Sequence, residues 1–418
     1  MSQEEYQNRL IKYKNVNQDY SEKVISGSGI GDLAPEALAE LRRLITRSKR
    51  LETDISEIND EQFLKNLRLL RENELTVAAL VLLGKREALE KYLPCVEVRY
   101  GFRIDESELR NQDTEIFKGG YLLYYNNIWQ KINSRNIVLN IPQGLLLVER
   151  KAFDEETIRE AINNAIIHSD YYSPEAIFIF HYQTKIIIKN PGGFVEGVNL
   201  ENILNESKTR NKLIADVLFK CDMVESFGTG VNLMFKNQLS LGKNPPNYEK
   251  SDKNHVVLEL DGLIQDIEFA KYVLRVADEK QKNLNDQELL LLAKIKNNKK
   301  FKANSITDKL FEIGLIEKIG YGKYILSRKY YDFVDKKGEY TRRRGLDKTA
   351  NKLLILEHLK HHEKGHMKDL LEALKNDIPR ITINKYLEEL RNEGKIEFMG
   401  NPKISRGKNK GYWHIVYR

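Results

Sequence analysis

The sequence predicts an α+β protein that ends in two helix-rich modules, each closed by a small β-hairpin. Three observations predict it. A helical pattern over Asp154–His168 is followed at once by two alternating strand patterns, Ala176–Phe180 and Lys185–Lys189. The order helix, helix, helix, strand, strand occurs in the last third of the chain, after a shorter version of itself. From Lys271 onward 34 Lys and Arg face 20 Asp and Glu, a balance of +14, which leaves 34 against 41, or −7, for residues 1–270. Charge gathered at one end points to a C-terminal part that meets a polyanion, with a different task for the rest.

The bulk properties narrow the classes. With 418 residues, 41 % hydrophobic and 31 % charged, the composition is globular and excludes a disordered tail, a collagen-like fibre or a disulfide mini-protein. Two to four domains fit, at roughly 100–200 residues each. The longest strongly apolar stretch, Thr76–Gly84, is far below the roughly 20 residues that span a bilayer. Met1–Leu10 has two glutamates and no apolar run of a secretion signal. Cys95 and Cys221 lack CxxC spacing, so neither a disulfide framework nor a thiolate zinc site is read from them. These features predict a cytoplasmic protein without membrane contact.

Taken in order, residues 1–60 read as an N-terminal connector, with a charged helical pattern at Pro35–Leu51 and the small-residue turn Ser26-Gly27-Ser28-Gly29. Residues 61–150 read as a mixed α/β domain, helical over Glu61–Leu93 and aromatic over Tyr100–Trp129. Residues 151–265 form the third unit: after the β-like run Gly144–Val148, the helix Asp154–His168 leads to the hairpin, and Asn190-Pro-Gly-Gly193 stops its second strand. Residues 280–335 hold helices Asp286–Lys296 and Ile306–Ile316 and a hairpin turning at Tyr321-Gly322. After a basic linker with Arg342-Arg343-Arg344, residues 345–418 hold helices Lys352–Lys360, Met367–Lys375 and Thr382–Arg391 and strands Ile396–Met399 and Tyr412–Tyr417. This is winged-helix order, twice.

In the second winged helix, Leu387 and Leu390 are expected in the core while Arg380, Asn384 and Lys385 face outward, where recognition helices touch base edges. The wing tip carries Lys403, Arg406, Lys408 and Lys410 and no acid, a set suited to phosphates. Winged helices also contact proteins; the charge and the duplication favour DNA. His362-Glu-Lys-Gly-His366 matches H-E-x-x-H by letter, but that zinc chemistry needs both histidines on one unbroken helix, and Gly365 is expected to cap a helix end instead. A helicase reading fails because no G-x-x-x-x-G-K-[ST] occurs.

The third unit holds the sharpest constellation. Glu160 and Asn164, four apart on a predicted helix, project from one face. A carboxylate and an amide one turn apart suit a water-polarising base beside an oxygen ligand for Mg²⁺. Asn190-Pro-Gly192-Gly193 follows at a strand end, and Phe227-Gly228-Thr229-Gly230 then opens a helix, where backbone N–H groups can approach phosphate. Taken singly, His168 can brace its helix end, Asp170 can begin a turn, and Glu160 can be a solvated acid.

Together these residues resemble the Bergerat ATP-binding fold of the gyrase, heat-shock chaperone, histidine kinase and MutL group (GHKL). More closely, Arg159–Tyr171, Ile188–Phe194, Arg210-Asn211 and Glu225–Val231 resemble the bacterial RecG-like ATP-binding transcriptional regulators, which also end in winged helices. The resemblance implies a Bergerat-type α/β sandwich that binds ATP and Mg²⁺, with Glu160 as the base that orients water for hydrolysis and Asn164 as the Mg²⁺ ligand. It implies Gly192 and Gly193 beneath adenine and Gly228 and Gly230 as the phosphate turn, and it draws His168, Asp170, Asn190, Arg210 and Thr229 into the nucleotide site. The chain departs from the pattern in three places. Asn190 replaces the aspartate that accepts from adenine, His168-Ser169-Asp170 replaces His-Arg-Asp, and Lys212 follows Asn211 where proline is usual. The N-terminal AlbA-type domain related to Schlafen proteins is expected to be missing. The implied function is a DNA-binding transcriptional regulator controlled by nucleotide, through closure of Phe194–Phe227 and self-association into a dimer or larger assembly. The alternative is an ATPase or sensor subunit in defence against foreign DNA, working with a partner nuclease or AlbA-type chain.

Overall fold

Pro35 occupies the first turn of helix α1 (Pro35–Ser48), where its missing N–H costs nothing, and Lys49 in the left-handed region ends the helix. Its face Ala37, Leu38, Leu41, Leu44 and Ile45 is buried. In the computed structural model, which describes residues 19–50, 55, 57–143, 146–206, 208–225, 228–281, 284–320, 322–343, 347–374, 379–400 and 411–416, this helix and strand β1 (Val24–Ile25) belong to the main hydrophobic core. The expected connector is therefore structural: an apolar face of this width has to be covered, and it is packed against residues 77–83 and 121–133.

The stretch expected to be helical over Glu61–Leu93 is interrupted. Helix α2 (Asp60–Asn66) leads to strands β2 (Leu70–Arg71) and β3 (Glu74–Thr76), joined across Glu72 and Asn73. Both turn residues have positive φ, 49° and 67°, as a two-residue type I′ hairpin requires. A small sheet of order β1-β3-β2 results, followed by the fully buried α3 (Val77–Leu83) and by α4 (Arg86–Tyr92).

The chain continues through β4 (Val98–Arg103), β5 (Asp113–Phe117), α5 (Tyr121–Asn133) and a separate hairpin of β6 (Val138–Gln143) and β7 (Leu146–Lys151). Asp154 then accepts a hydrogen bond from the Thr157 N–H at 2.8 Å and starts α6 (Glu155–His168). Strands β8 (Ile177–Tyr182) and β9 (Lys185–Pro191), helices α7 (Lys212–Lys220) and α8 (Gly230–Ser240), strand β10 (His255–Asp261) and helix α9 (Ile267–Lys280) complete the series. The central sheet is mixed, of order β10-β9-β8-β4-β5, antiparallel except between β4 and β8, where Tyr100 lies opposite Ile179. That pairing crosses the expected boundary at 150/151. Strand β8 buries Ile177 and Ile179 and needs a partner on its second edge, and β4 supplies one with Val98, Tyr100 and Phe102 in the same core.

The chain divides into two compact units, residues 1–290 and 291–418, with α10 (Asp286–Lys296) running across the division. The second unit contains α11 (Ser305–Glu312), β11 (Ile316–Gly320), β12 (Lys323–Leu326), α12 (Arg328–Phe333), α13 (Lys337–Arg343), α14 (Asp347–His362), α15 (Met367–Ala373), α16 (Arg380–Asn392), β13 (Ile396–Met399) and β14 (Tyr412–Ile415). Helices α14 to α16 close over Ile355, Leu359, Leu370, Leu374, Ile383, Leu387, Leu390 and Ile396. Gly365 is not the helix cap the sequence suggests. Glu363 takes the left-handed position, while Gly365 exchanges two backbone hydrogen bonds with Trp413 at a place where a side chain would collide with Leu359. His362 ends α14 and His366 caps α15, so the H-E-x-x-H letters do not share a helix. Among the described residues no helix is long and apolar enough to cross a membrane.

Candidate functional site

Helix α6 turns Ile158, Ile162 and Ile166 into the core, which leaves Glu160, Asn164 and His168, one turn apart, along another face. These three line a cavity of about 140 Å³ with Asn190 and Gly193 at the end of β9, Gly228 and Gly230 at the start of α8, and Tyr248. The sequence-predicted carboxylate, amide and two glycine turns thus meet in one cleft, although they are up to 70 positions apart in the chain.

Glu160 is 6 % exposed. Burial pushes its carboxyl up to about 7; the carboxylates of Glu225 and Glu156 act in the same direction, and the Asn164 Nδ2 donor at 3.1 Å opposes them. Its Oε1 lies against Gly230, where any Cβ would overlap it. Gly228 has φ +90°, which favours glycine. The Thr229 side chain makes no capping bond to α8. Gly228, Gly230 and Val231 at the start of this eleven-residue helix line the cavity with Glu160, and a helix start attracts anions.

The second glycine pair is fixed by packing. Gly192 has φ +87°, and a Cβ there would come within 2.9 Å of Asp170 Cβ and 3.1 Å of Arg210 Cζ. At Gly193 it would meet the carbonyl oxygens of Asp252 and Lys253 at 2.6 Å. Arg210 donates from Nε to the His168 carbonyl at 3.0 Å and from Nη2 to the Gly193 carbonyl at 2.7 Å. Asn211 Nδ2 donates to the carbonyls of Ile167 and Ser169, and so closes the end of α6. Burial, helped by the Arg210 charge, pushes His168 down to about 4, so its imidazole is neutral at pH 7. Asn190, 4 % exposed, presents an uncharged amide to the cavity and donates to the Pro191 carbonyl at 3.2 Å.

Asp170 and Arg210 stand behind the glycine turn, neither they nor Gly192 belong to the cavity wall, and Thr229 is exposed at the helix start. The segment 194–209 already forms a wall through Phe194, Val195, Lys208 and Thr209. Lys208, Thr209 and Tyr248 are lining residues that sequence reasoning missed, since they lie in polar or proline-rich stretches with no periodic signal. In the second unit Arg380, Asn384 and Lys385 are exposed on α16 while Leu387 and Leu390 are buried. Lys403, Arg406, Lys408 and Lys410 lie outside the described residues.

Residues 175–260 match the family model described as "Putative ATP-dependent DNA helicase recG C-terminal", an ATPase-like domain family, over β8, β9, α7, α8 and most of β10. Residues 8–99 match a domain family of unknown function, DUF8451, across the expected boundary at 60/61. No curated protein matches the chain. Among solved structures, the crystal structure of the DIP2311 protein from Corynebacterium diphtheriae is similar in fold, with a TM-score of 0.62 and 20 % identity over 78 % of this chain and 68 % of that one.

Proposed function

We propose that this protein is a nucleotide-controlled, DNA-binding regulator that holds ATP with Mg²⁺ in the cavity beside α6. The observation that carries the reading is the Glu160–Asn164 pair set against Gly230 at the start of α8. The donor set fits the nucleotide. Asn164 Oδ1, without a partner among the described residues, is an oxygen ligand of the kind Mg²⁺ accepts, and the first N–H groups of α8 suit phosphate oxygens. Bound Mg²⁺ would supply neutralisation of phosphate charge. In this reading Glu160, once ionised, accepts a proton from water, and Asn190 and Gly193, which line the same cavity, contact the base. The similarity of residues 175–260 to an ATPase-like family supports the same assignment.

The DNA half of the reading rests on the second unit: its winged-helix order, the +14 balance from Lys271 onward and the exposed Arg380, Asn384 and Lys385. Thermal unfolding with and without millimolar Mg-ATP, Mg-ADP and Mg-GTP tests the nucleotide half, because a ligand that binds only the native state raises stability, by about 2.7 kcal/mol at a hundredfold excess over Kd. The shift is expected with ATP and absent in Gly228→Val, whose branched side chain is strained at φ +90°. No shift with any nucleotide, or an undiminished shift in Gly228→Val, would reject the site.

A further inference from the structure

Helix α16 carries a strongly exposed apolar residue among charged and amide neighbours. Its core residues Ile383, Leu387 and Leu390 are fully buried, whereas Ile381 is 83 % exposed on another face. Around it, Arg380, Asn384 and Lys385 are also exposed. The first two turns, Arg380–Leu387, contain no acid, while Glu389 and Glu393 further along are held in ion pairs with Lys348, Lys352 and Lys395. Residues 345–418 as a whole carry 15 Lys and Arg against 10 Asp and Glu. Glu388, exposed one turn beyond Asn384, ends this face with an acid. The exposed isoleucine and the positive and amide groups nearest it, Arg380, Asn384 and Lys385, fit a surface that is anionic at its edges and apolar at one point inside.

The major groove of DNA at an A·T pair is such a surface. Its phosphates flank the groove, adenine offers N6–H and N7, which an Asn amide contacts in bidentate fashion, and thymine offers the 5-methyl group, the apolar point in the groove. Ile381 and Asn384 are one turn apart on the same helix face, roughly 5–6 Å between Cβ atoms, a reach that covers one base pair and its neighbour. We infer that α16 reads an A·T-containing step through Ile381 on a thymine methyl and Asn384 on an adenine edge, with Arg380 and Lys385 on the flanking phosphates. This rests on the DNA-binding reading above and adds its specificity. A protein partner would bury Ile381 equally well but would not depend on a thymine methyl.

The test uses the full-length protein and a randomised DNA duplex pool. Bound duplexes are selected and sequenced, and the best one is remade with deoxyuridine for each thymidine, which deletes the methyl groups alone. Wild type is expected to select at least one fixed A·T pair and to lose about fourfold in affinity on the uridine duplex at one position. Ile381→Ala is expected to bind both duplexes alike, and Asn384→Ala to relax the preference for adenine by at least about fivefold while keeping its methyl sensitivity. Ile381 is exposed, so its replacement leaves the core intact. Selected duplexes without a fixed A·T pair, or equal methyl sensitivity in wild type and Ile381→Ala, would overturn the inference and leave DNA binding standing. If wild type retained no duplex at low salt, the DNA-binding reading would fall and the inference with it.

Discussion

Glu160 is held where a carboxylate is costly. Its pKa is about 7 in the folded protein against 4.5 when exposed, so the native state binds this proton more tightly than the unfolded chain does. Stability contributed by that proton is complete below pH 4.5 and is lost as the pH rises through 7. The difference corresponds to on the order of 3 kcal/mol. Glu160→Gln, which keeps the shape and removes the titration, is expected to be more stable than wild type at pH 8 by roughly that amount and to lose most of the advantage at pH 4. Urea unfolding followed by Trp129 in a Trp413→Phe background reads the first unit alone, since these are the only tryptophans. Equal stability at pH 8 would show that the carboxyl is not desolvated.

At the scale of the element, the central sheet buries a second titrating group. His181 on β8 is fully buried among Tyr100, Phe102 and Phe153, shares a hydrogen bond with the Tyr100 hydroxyl at 2.8 Å, and leaves Nε2 without a partner among the described residues. Burial pushes its pKa down to about 4 from the usual 6.5. Below pH 6.5 the unfolded chain takes a proton that the native state refuses, so stability is full above pH 6.5 and falls as the pH drops towards 4, by about 1.4 kcal/mol per pH unit for one such histidine. His168 on α6 behaves in the same direction. His181→Leu is expected to remove about one proton from this acid slope while leaving the slope above pH 7 unchanged. An unaltered slope between pH 4 and 6 would assign the acid lability elsewhere. The reading depends on the slope alone, so the loss of the Tyr100 partner does not blur it.

For the whole molecule the governing quantity is the charge divide, −7 before Lys271 and +14 after it. If the basic end meets DNA, its affinity for an arbitrary duplex is expected to fall steeply with salt, about a thousandfold between 50 and 200 mM for six neutralised phosphates. A titration of fluorescent duplex at several salt concentrations measures this, and salt-independent binding would count against a phosphate-based contact.

How far each level was legible follows from where its physics resides. The spacing of Glu160 and Asn164, the hairpin that follows their helix, the glycine turns and the three helices of residues 347–392 are local, set within a few residues by hydrogen bonding and backbone sterics, and are legible directly; the helices Arg328–Phe333 and Lys337–Arg343 are not, and the helix expected over Ile306–Ile316 ends at Glu312. The connector at residues 1–60 and the boundary at 150/151 could not. Covering the face of α1 and pairing β4 with β8 are contacts between distant segments, and nothing in either segment names its partner. The break at Glu72-Asn73 was missed because a short apolar run suits a strand as well as a helix. In the cavity, the candidate groups are legible from the chain alone, because their residue types and spacing are intrinsic to it. That Glu160 is desolvated against Gly230, that Arg210 braces the glycine turn from behind, and that Lys208 and Tyr248 complete the wall follow from folding, because burial and neighbourhood belong to the packed chain.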